Sequence, residues 1–241
     1  MSEKKQNDRR VIVITGTSRG IGRGVAEHFL SKGWTVEGCA RGVGAITDLR
    51  YHHTQVNVAD EEAVRSWVRA IKRRHGQIDV LFNNAGLAPA AIAALLIPGS
   101  LIDDVLKTNV MGSFLVTREA ALVMTTKKYG RIINVSSMAV GLHEEGTAIY
   151  SASKSAIVEF TRIMAKELAP FNITCNVVAP SMFMTTAVEA LGQEVINRAL
   201  SKLTIKRTIT MEEICHVLDF LVSPLGGIIT GQTIHMGLIS G

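Results

Sequence analysis

The chain has 241 residues, of which 47 % are hydrophobic and 20 % charged, a balance that excludes a disordered or fibrous protein and supports a sizeable core. The formal net charge of +5 comes from scattered Lys and Arg, with small clusters at the N-terminus, at Lys72–Arg74 and at Lys127–Arg131. No aromatic interleaving or nucleic-acid motif accompanies them, so no nucleic-acid partner is expected.

Residues 1–10, MSEKKQNDRR, are polar throughout and read as a solvated tail, not a secretory leader. No run reaches the roughly 18 apolar residues of a membrane span. The longest, AIAALLI at 91–97, is bracketed by Pro89 and Pro98 and reads as buried or partner-covered helix or loop. Cys39, Cys175 and Cys215 are odd in number and lack a CxxC spacing. That pattern fits a reducing, cytoplasmic location and argues against disulfides or a thiolate metal site.

From residue 11 to 241 there is no repeat, linker or composition break, which predicts one domain. Val11–Thr15 is a β-branched run closed by Gly16, as a buried strand requires. Residues 20–32 show helical spacing through Ile21, Val25 and Phe29 and stop before Gly33. Strands follow at Thr35–Ala40 and Tyr51–Val56, then a helix over 60–75 and a strand at Ile78–Phe82. A long helix near 100–127 leads to a strand at Arg131–Ser136, and a helix over 149–168 to one at Asn172–Val178. Helices near 186–201 and 211–222 and a strand at 232–236 complete the chain. This alternation predicts a doubly wound parallel sheet with helices on both faces and ligands at the carboxyl ends of the strands. The gap between Ala40 and Tyr51 is too short for a comfortable crossover helix.

Directly after the first strand comes TGTSRGIG (15–22). Glycines at a strand-to-helix turn allow positive φ and let backbone N–H groups approach a phosphate beside a helix N-terminus. Gly16, Gly20 and Gly22 are therefore candidate dinucleotide contacts. The second strand ends Cys39-Ala40-Arg41 with no acid at its tip. Arg41, with Arg19 in the turn, suits the 2′-phosphate of NADP(H) rather than a bare ribose.

YSASK at 150–154 places Tyr150 and Lys154 at i and i+4 on one helical face. The pair is either an ordinary surface contact or a phenol tuned by an ammonium. The adjacent His52 and His53 point to opposite faces of a strand, and no metal is expected. His143, Glu144 and Glu145 read as exposed loop, with substrate contact as the second reading. Met182, Phe183 and Met184, with Ala187, Val188 and Leu191 behind them, are either core packing or an apolar lid.

The ordered set TGTSRGIG, NVAD (57–60), NNAG (83–86), Asn109, Ser137, YSASK and Ala179-Pro180 resembles the short-chain dehydrogenase/reductase family, from Val11 to Gly237. Stretches such as GRIINVSS and NITCNVVAP are most similar to bacterial 3-oxoacyl-[acyl-carrier-protein] reductases. The resemblance implies a single Rossmann-like domain and a catalytic set of Asn109, Ser137, Tyr150 and Lys154. Ser137 lies thirteen residues before Tyr150, the family's separation, while Ser136 is the weaker neighbour. It further implies that Asn109 holds a water linking Lys154 to solvent. Ser18 and Ile21 would join the glycine turn in holding the cofactor, Asn57 and Val58 would flank the adenine, and Asn84, Ala85 and Gly86 would line the cleft. Tyr150, Lys154, Pro180, Phe183 and Thr185 would complete the cofactor contacts.

The implied activity is NADPH-dependent reduction of a ketone. The first reading is a 3-oxoacyl thioester on acyl carrier protein, with Lys127, Lys128 and Arg131 available for docking. A free sterol, polyketide or other small ketone is the second, and a non-catalytic NADPH-binding protein the third. A homotetramer or homodimer through the helices at 100–127 and 149–168 is implied as well. Ser181, where a glycine is usual, the ending HMGLISG and the short crossover after Arg41 depart from the family pattern.

Overall fold

The computed structural model describes residues 10–189 and 192–238; most of the polar tail, Leu191 and the last three residues of HMGLISG lie outside the described residues. Seven strands, β1 (Val11–Thr15), β2 (Thr35–Ala40), β3 (Tyr51–Gln55), β4 (Val80–Asn83), β5 (Gly130–Val135), β6 (Ile173–Ala179) and β7 (Thr233–His235), form one sheet. Their order is β3-β2-β1-β4-β5-β6-β7, parallel throughout. The strand order reverses between β1 and β4, which opens a crevice at their carboxyl ends.

The central strands β1, β2, β4, β5 and β6 are buried at every position, as helices on both faces demand. Alternate residues feed two cores. Val13, Leu81 and Ile132 pack with Val64, Trp67 and Val116 on one face. Ile12, Ile14, Phe82 and Ile133 pack with Phe29 and Leu218 on the other.

The helices are α1 (Gly20–Ser31), α2 (Glu61–His75), α3 (Gly99–Val105), α4 (Ser113–Lys127), α5 (Ala139–Leu142), α6 (Ala148–Leu168), α7 (Thr186–Glu189), α8 (Gln193–Ser201) and α9 (Met211–Val222). Asp60 caps α2 by accepting from the Ala63 N–H at 3.0 Å, and Gly76 closes it with φ +71°. Glu61 and Glu62 in its first turn and basic residues in its last complement the helix dipole. At α9, Thr210 and Glu213 form a reciprocal capping box.

Two expectations of helix continuity are corrected. The long helix over 100–127 is interrupted by a π-helical turn, Leu106–Gly112, between α3 and α4. The helix over 186–201 is broken into α7 and α8 by Gly192 at φ +82°. The apolar stretch 91–97 is not buried within the chain. Its only regular structure is a 3-10 turn, Ala94–Leu96, with Leu95 99 % and Leu96 74 % exposed. Pro89 and Pro98 keep it too short to lay an apolar face on the core. The short helix α5 had no counterpart in the sequence reading, and the loop expected at His143–Glu145 follows it. The short crossover at 41–50 contains no helix, as its length predicts.

Candidate active site

The chain leaves β1 at Gly16 with φ +77° and enters α1 at Gly20 with φ +58°. Gly22 lies beneath this turn: a Cβ there would sit 2.3 Å from the Gly16 carbonyl oxygen and 2.6 Å from Asn84 Nδ2. Asn84 Nδ2 donates to the Thr15 carbonyl at 3.0 Å. The backbone N–H groups of Asn84 and Ala85 both donate to Thr15 Oγ1 at 2.9 Å. These bonds fasten the end of β4 to the glycine turn.

Between them opens a cleft of about 370 Å³, lined by Gly16, Ser18, Arg19, Ile21, Arg41, Asn57, Val58, Asn84, Ala85, Gly86 and Thr185 among the predicted cofactor residues. Cys39, Ala40, Val56, Leu87, Ala88 and Thr108 line it too. Most of these missed residues sit beside a predicted one at a strand end. Thr108 arrives through the π-helical turn and had no sequence signal. No lining residue among those described is acidic, so Arg19 and Arg41 face the cleft without a competing carboxylate. The glycine turn, the helix N-terminus and the two guanidiniums fit the phosphates of a dinucleotide.

The other predicted cofactor residues act from behind. Gly20 and Gly22 shape the turn. The Pro180 carbonyl accepts from the Met138 N–H at 3.1 Å, tying the chain after β6 to that after β5. Phe183 bridges to Ile209 and packs on the core. Met182 is buried and Met184 exposed, so the apolar stretch after Pro180 is part core, part surface. Ser181 is buried, and its hydroxyl abuts Gly237, where a Cβ would lie 2.9 Å from Ser181 Oγ. The unusual serine thus meets the unusual C-terminal segment directly.

The two serines after β5 have separate duties. Ser136 Oγ is buried and donates to the Lys154 carbonyl at 3.1 Å, a structural bond. Ser137 Oγ accepts from the Ala139 N–H at 3.2 Å and lies close enough to the Tyr150 phenol to lower its pKa. Tyr150 and Lys154 share one face of α6, with Lys154 Nζ 6.0 Å from the Tyr150 ring centroid. Lys154 is only 5 % exposed and donates to the Val135 carbonyl at 2.8 Å. Burial pulls its ammonium down to about 8, while burial pushes the Tyr150 phenol up, opposed by the nearby Ser137 hydroxyl.

Asn109 is buried in the π-helical turn. Its Oδ1 accepts from the Leu87 N–H at 2.7 Å, and its Nδ2 donates to the Leu87 carbonyl at 2.9 Å and to Ser153 Oγ at 3.0 Å. The amide therefore clamps the chain after β4 to α6. A Cβ on Gly86 would lie 3.3 Å from Asn109 Oδ1 and 3.4 Å from Lys154 Nζ, so the three residues adjoin. His143 and Glu145 are exposed, while Glu144 pairs with Lys202 beyond α8 at 2.8 Å.

A doubly wound sheet, a glycine turn facing a basic cleft and a Ser–Tyr–Lys group at the strand ends define an oxidoreductase built on a nucleotide-binding fold. The chain belongs to the short chain dehydrogenase family, whose sequence pattern matches residues 10–195. It is 34 % identical to the 3-oxoacyl-[acyl-carrier-protein] reductase FabG of Aquifex aeolicus (strain VF5), covering 94 % of this chain and 95 % of the relative. The corresponding reductase of Escherichia coli (strain K12) is 31 % identical over the same shares of the two chains. Among solved structures, an NAD+-bound xylitol dehydrogenase superposes with a TM-score of 0.85 at 27 % identity, covering 97 % of this chain and 99 % of that one.

Proposed function

We propose that the protein reduces the ketone of a 3-oxoacyl thioester, carried on acyl carrier protein, to the 3-hydroxyacyl form with NADPH. The observation that carries this reading is the Ser137–Tyr150–Lys154 group beside a cleft that holds two arginines and no acid. The identity to bacterial 3-oxoacyl-[acyl-carrier-protein] reductases along nearly the whole chain supports the substrate class.

NADPH, when bound, supplies the hydride. The glycine turn would hold its pyrophosphate and Arg19 with Arg41 its 2′-phosphate, while Gly86 leaves space beside Lys154. Ser137 and Tyr150 hold the substrate carbonyl oxygen and stabilise the charge that develops on it. Tyr150 Oη gives its proton to that oxygen as general acid. Lys154 places a positive charge near the phenol, and this charge together with that of the oxidised nicotinamide favours the phenolate against the burial that raises it. Ser137 works as a hydrogen-bonding group, not as a nucleophile.

The same reading puts the protein in the cytoplasm and assembles it as a homotetramer or homodimer. Supporting the assembly are exposed apolar side chains on α4 and α6, including Leu122, Ile163 and Phe114, which packs against Phe160 at 5.1 Å. No helix of the described residues is long and apolar enough to cross a membrane. A second reading, a free small-molecule alcohol or ketone, is favoured by the likeness to xylitol dehydrogenase. Assaying acetoacetyl thioesters and free ketones with NADPH and NADH, and polyols with NADP+ and NAD+, separates the two. Thioester turnover with NADPH preferred by about tenfold or more is expected, since charge-assisted phosphate contacts are worth 1.5–3 kcal/mol. Turnover of free ketones or polyols alone contradicts the first reading.

A further inference from the structure

Glu37 stands in the middle of β2 with its side chain fully buried, 0 % exposed. An isolated carboxylate in that position is costly unless cations or donors surround it. Parallel pairing sets His52 of the edge strand β3 directly beside it, and paired residues share a face of the sheet. The last turn of α2 brings His75 over the same spot, with Nε2 2.7 Å from Glu37 Oε1. The Arg74 guanidinium also contacts Oε1. The second oxygen, Oε2, is buried with no hydrogen-bond partner among the described residues.

We propose that Glu37, His52 and His75 form a binding site for a divalent transition-metal ion of the zinc type. One ligand atom from each residue lies within 4.8 Å of the others. Zinc takes imidazole nitrogens at about 2.0–2.1 Å and carboxylate oxygens at about 2.0–2.2 Å, with four ligands in a tetrahedron. Two imidazoles and one carboxylate with a water complete such a set. The His52 and His75 rings stand 5.7 Å apart at 42°, tilted towards each other and not stacked, which leaves their nitrogens free to converge. His53 points away. It contacts the Tyr51 hydroxyl at 2.9 Å and the Gly42 carbonyl at 2.8 Å, so only one of the adjacent histidines belongs to the cluster.

Oε2 is the open ligand position, because Arg74 and His75 both use Oε1. Arg74 competes electrostatically for the same carboxylate, but its side chain is 45 % exposed and can swing into solvent. The bound ion ties β2, the edge strand β3 and the end of α2 together. β2 and β3 run on to Arg41 and Asn57, so the site braces the strands that carry the adenine end of the cleft.

The test uses the full-length untagged protein, stripped with a chelator and titrated with zinc by calorimetry and with cobalt by visible absorption. One equivalent per chain, a tetrahedral cobalt spectrum and a rise in Tm are expected. His52→Ala and His75→Ala should each weaken binding by about tenfold or more, as loss of one of three protein ligands implies. Arg74→Ala should tighten it. These three positions reach the surface, so the variants keep the fold where Glu37→Gln endangers it; unchanged circular dichroism confirms this. Absence of binding, or binding that neither histidine substitution changes, overturns the proposal and leaves Glu37 as the centre of an Arg74–His75 ion network.

Discussion

Lys154 is buried where an ammonium is costly, and burial pulls its pKa down to about 8 from an ordinary 10.5. Between these two values the unfolded chain binds more protons than the folded one, so stability rises with pH across that window. Below about 8 the penalty is present in full. Replacing Lys154 with Met should therefore stabilise the protein at pH 7 by about 1–3 kcal/mol while abolishing turnover. The gain should shrink towards pH 10. Denaturant unfolding at both pH values checks this, and a less stable variant at pH 7 would show that the bond to the Val135 carbonyl outweighs desolvation. At this scale the sequence was informative about residue type and spacing. It placed Tyr150 and Lys154 on one helical face, as the structure does, but it left Ser136 and Ser137 unequal only by analogy. Geometry separates them: one bonds the Lys154 carbonyl and the other reaches the phenol.

The elements that hold the site are tight where backbone meets backbone. Gly22 has no room for a Cβ against Gly16 and Asn84, so Gly22→Ala should displace the turn that cradles the cofactor. A loss of NADPH affinity of roughly tenfold or more is expected, larger than the ~1 kcal/mol that Ala gains over Gly in helix propensity could mask. Cofactor fluorescence titration measures it, and an unchanged Kd would contradict the packing argument. The buried strands and the helices α1, α2, α6 and α9 were legible from their hydrophobic period, with side-chain caps adding to it at α2 and α9. The π-helical turn was not, since one extra residue per turn hardly disturbs an apolar pattern. It nevertheless supplies Thr108 to the cleft and Asn109 to the clamp on Leu87. For the stretch 91–97, apolar composition signals burial somewhere, and its exposure in this chain rules out only the first of its two readings, burial against the core. The Glu37–His52–His75 cluster was illegible because its members come from three elements and meet only through sheet register and helix docking.

Across the whole molecule, every proposed catalytic group gathers at the carboxyl edge of one parallel sheet. β1 delivers the glycine turn, β4 the Asn84–Gly86 wall, β5 the Ser137 loop and β6 Pro180, while α6 lays Tyr150 and Lys154 across them. The sheet is shared with a xylitol dehydrogenase at a TM-score of 0.85. The segments outside it include the exposed turn at 94–96 and the Glu144 loop, which Lys202 ties to the end of α8. The proposed chemistry is common to both substrate readings and assigns one proton donor, Tyr150. Its most direct test is Tyr150→Phe, assayed for NADPH binding and for reduction of an acetoacetyl thioester. Binding should stay within about twofold while kcat falls by roughly 10²–10⁴, the usual contribution of a positioned general acid. Reductase turnover equal to that of the unsubstituted protein would contradict the account.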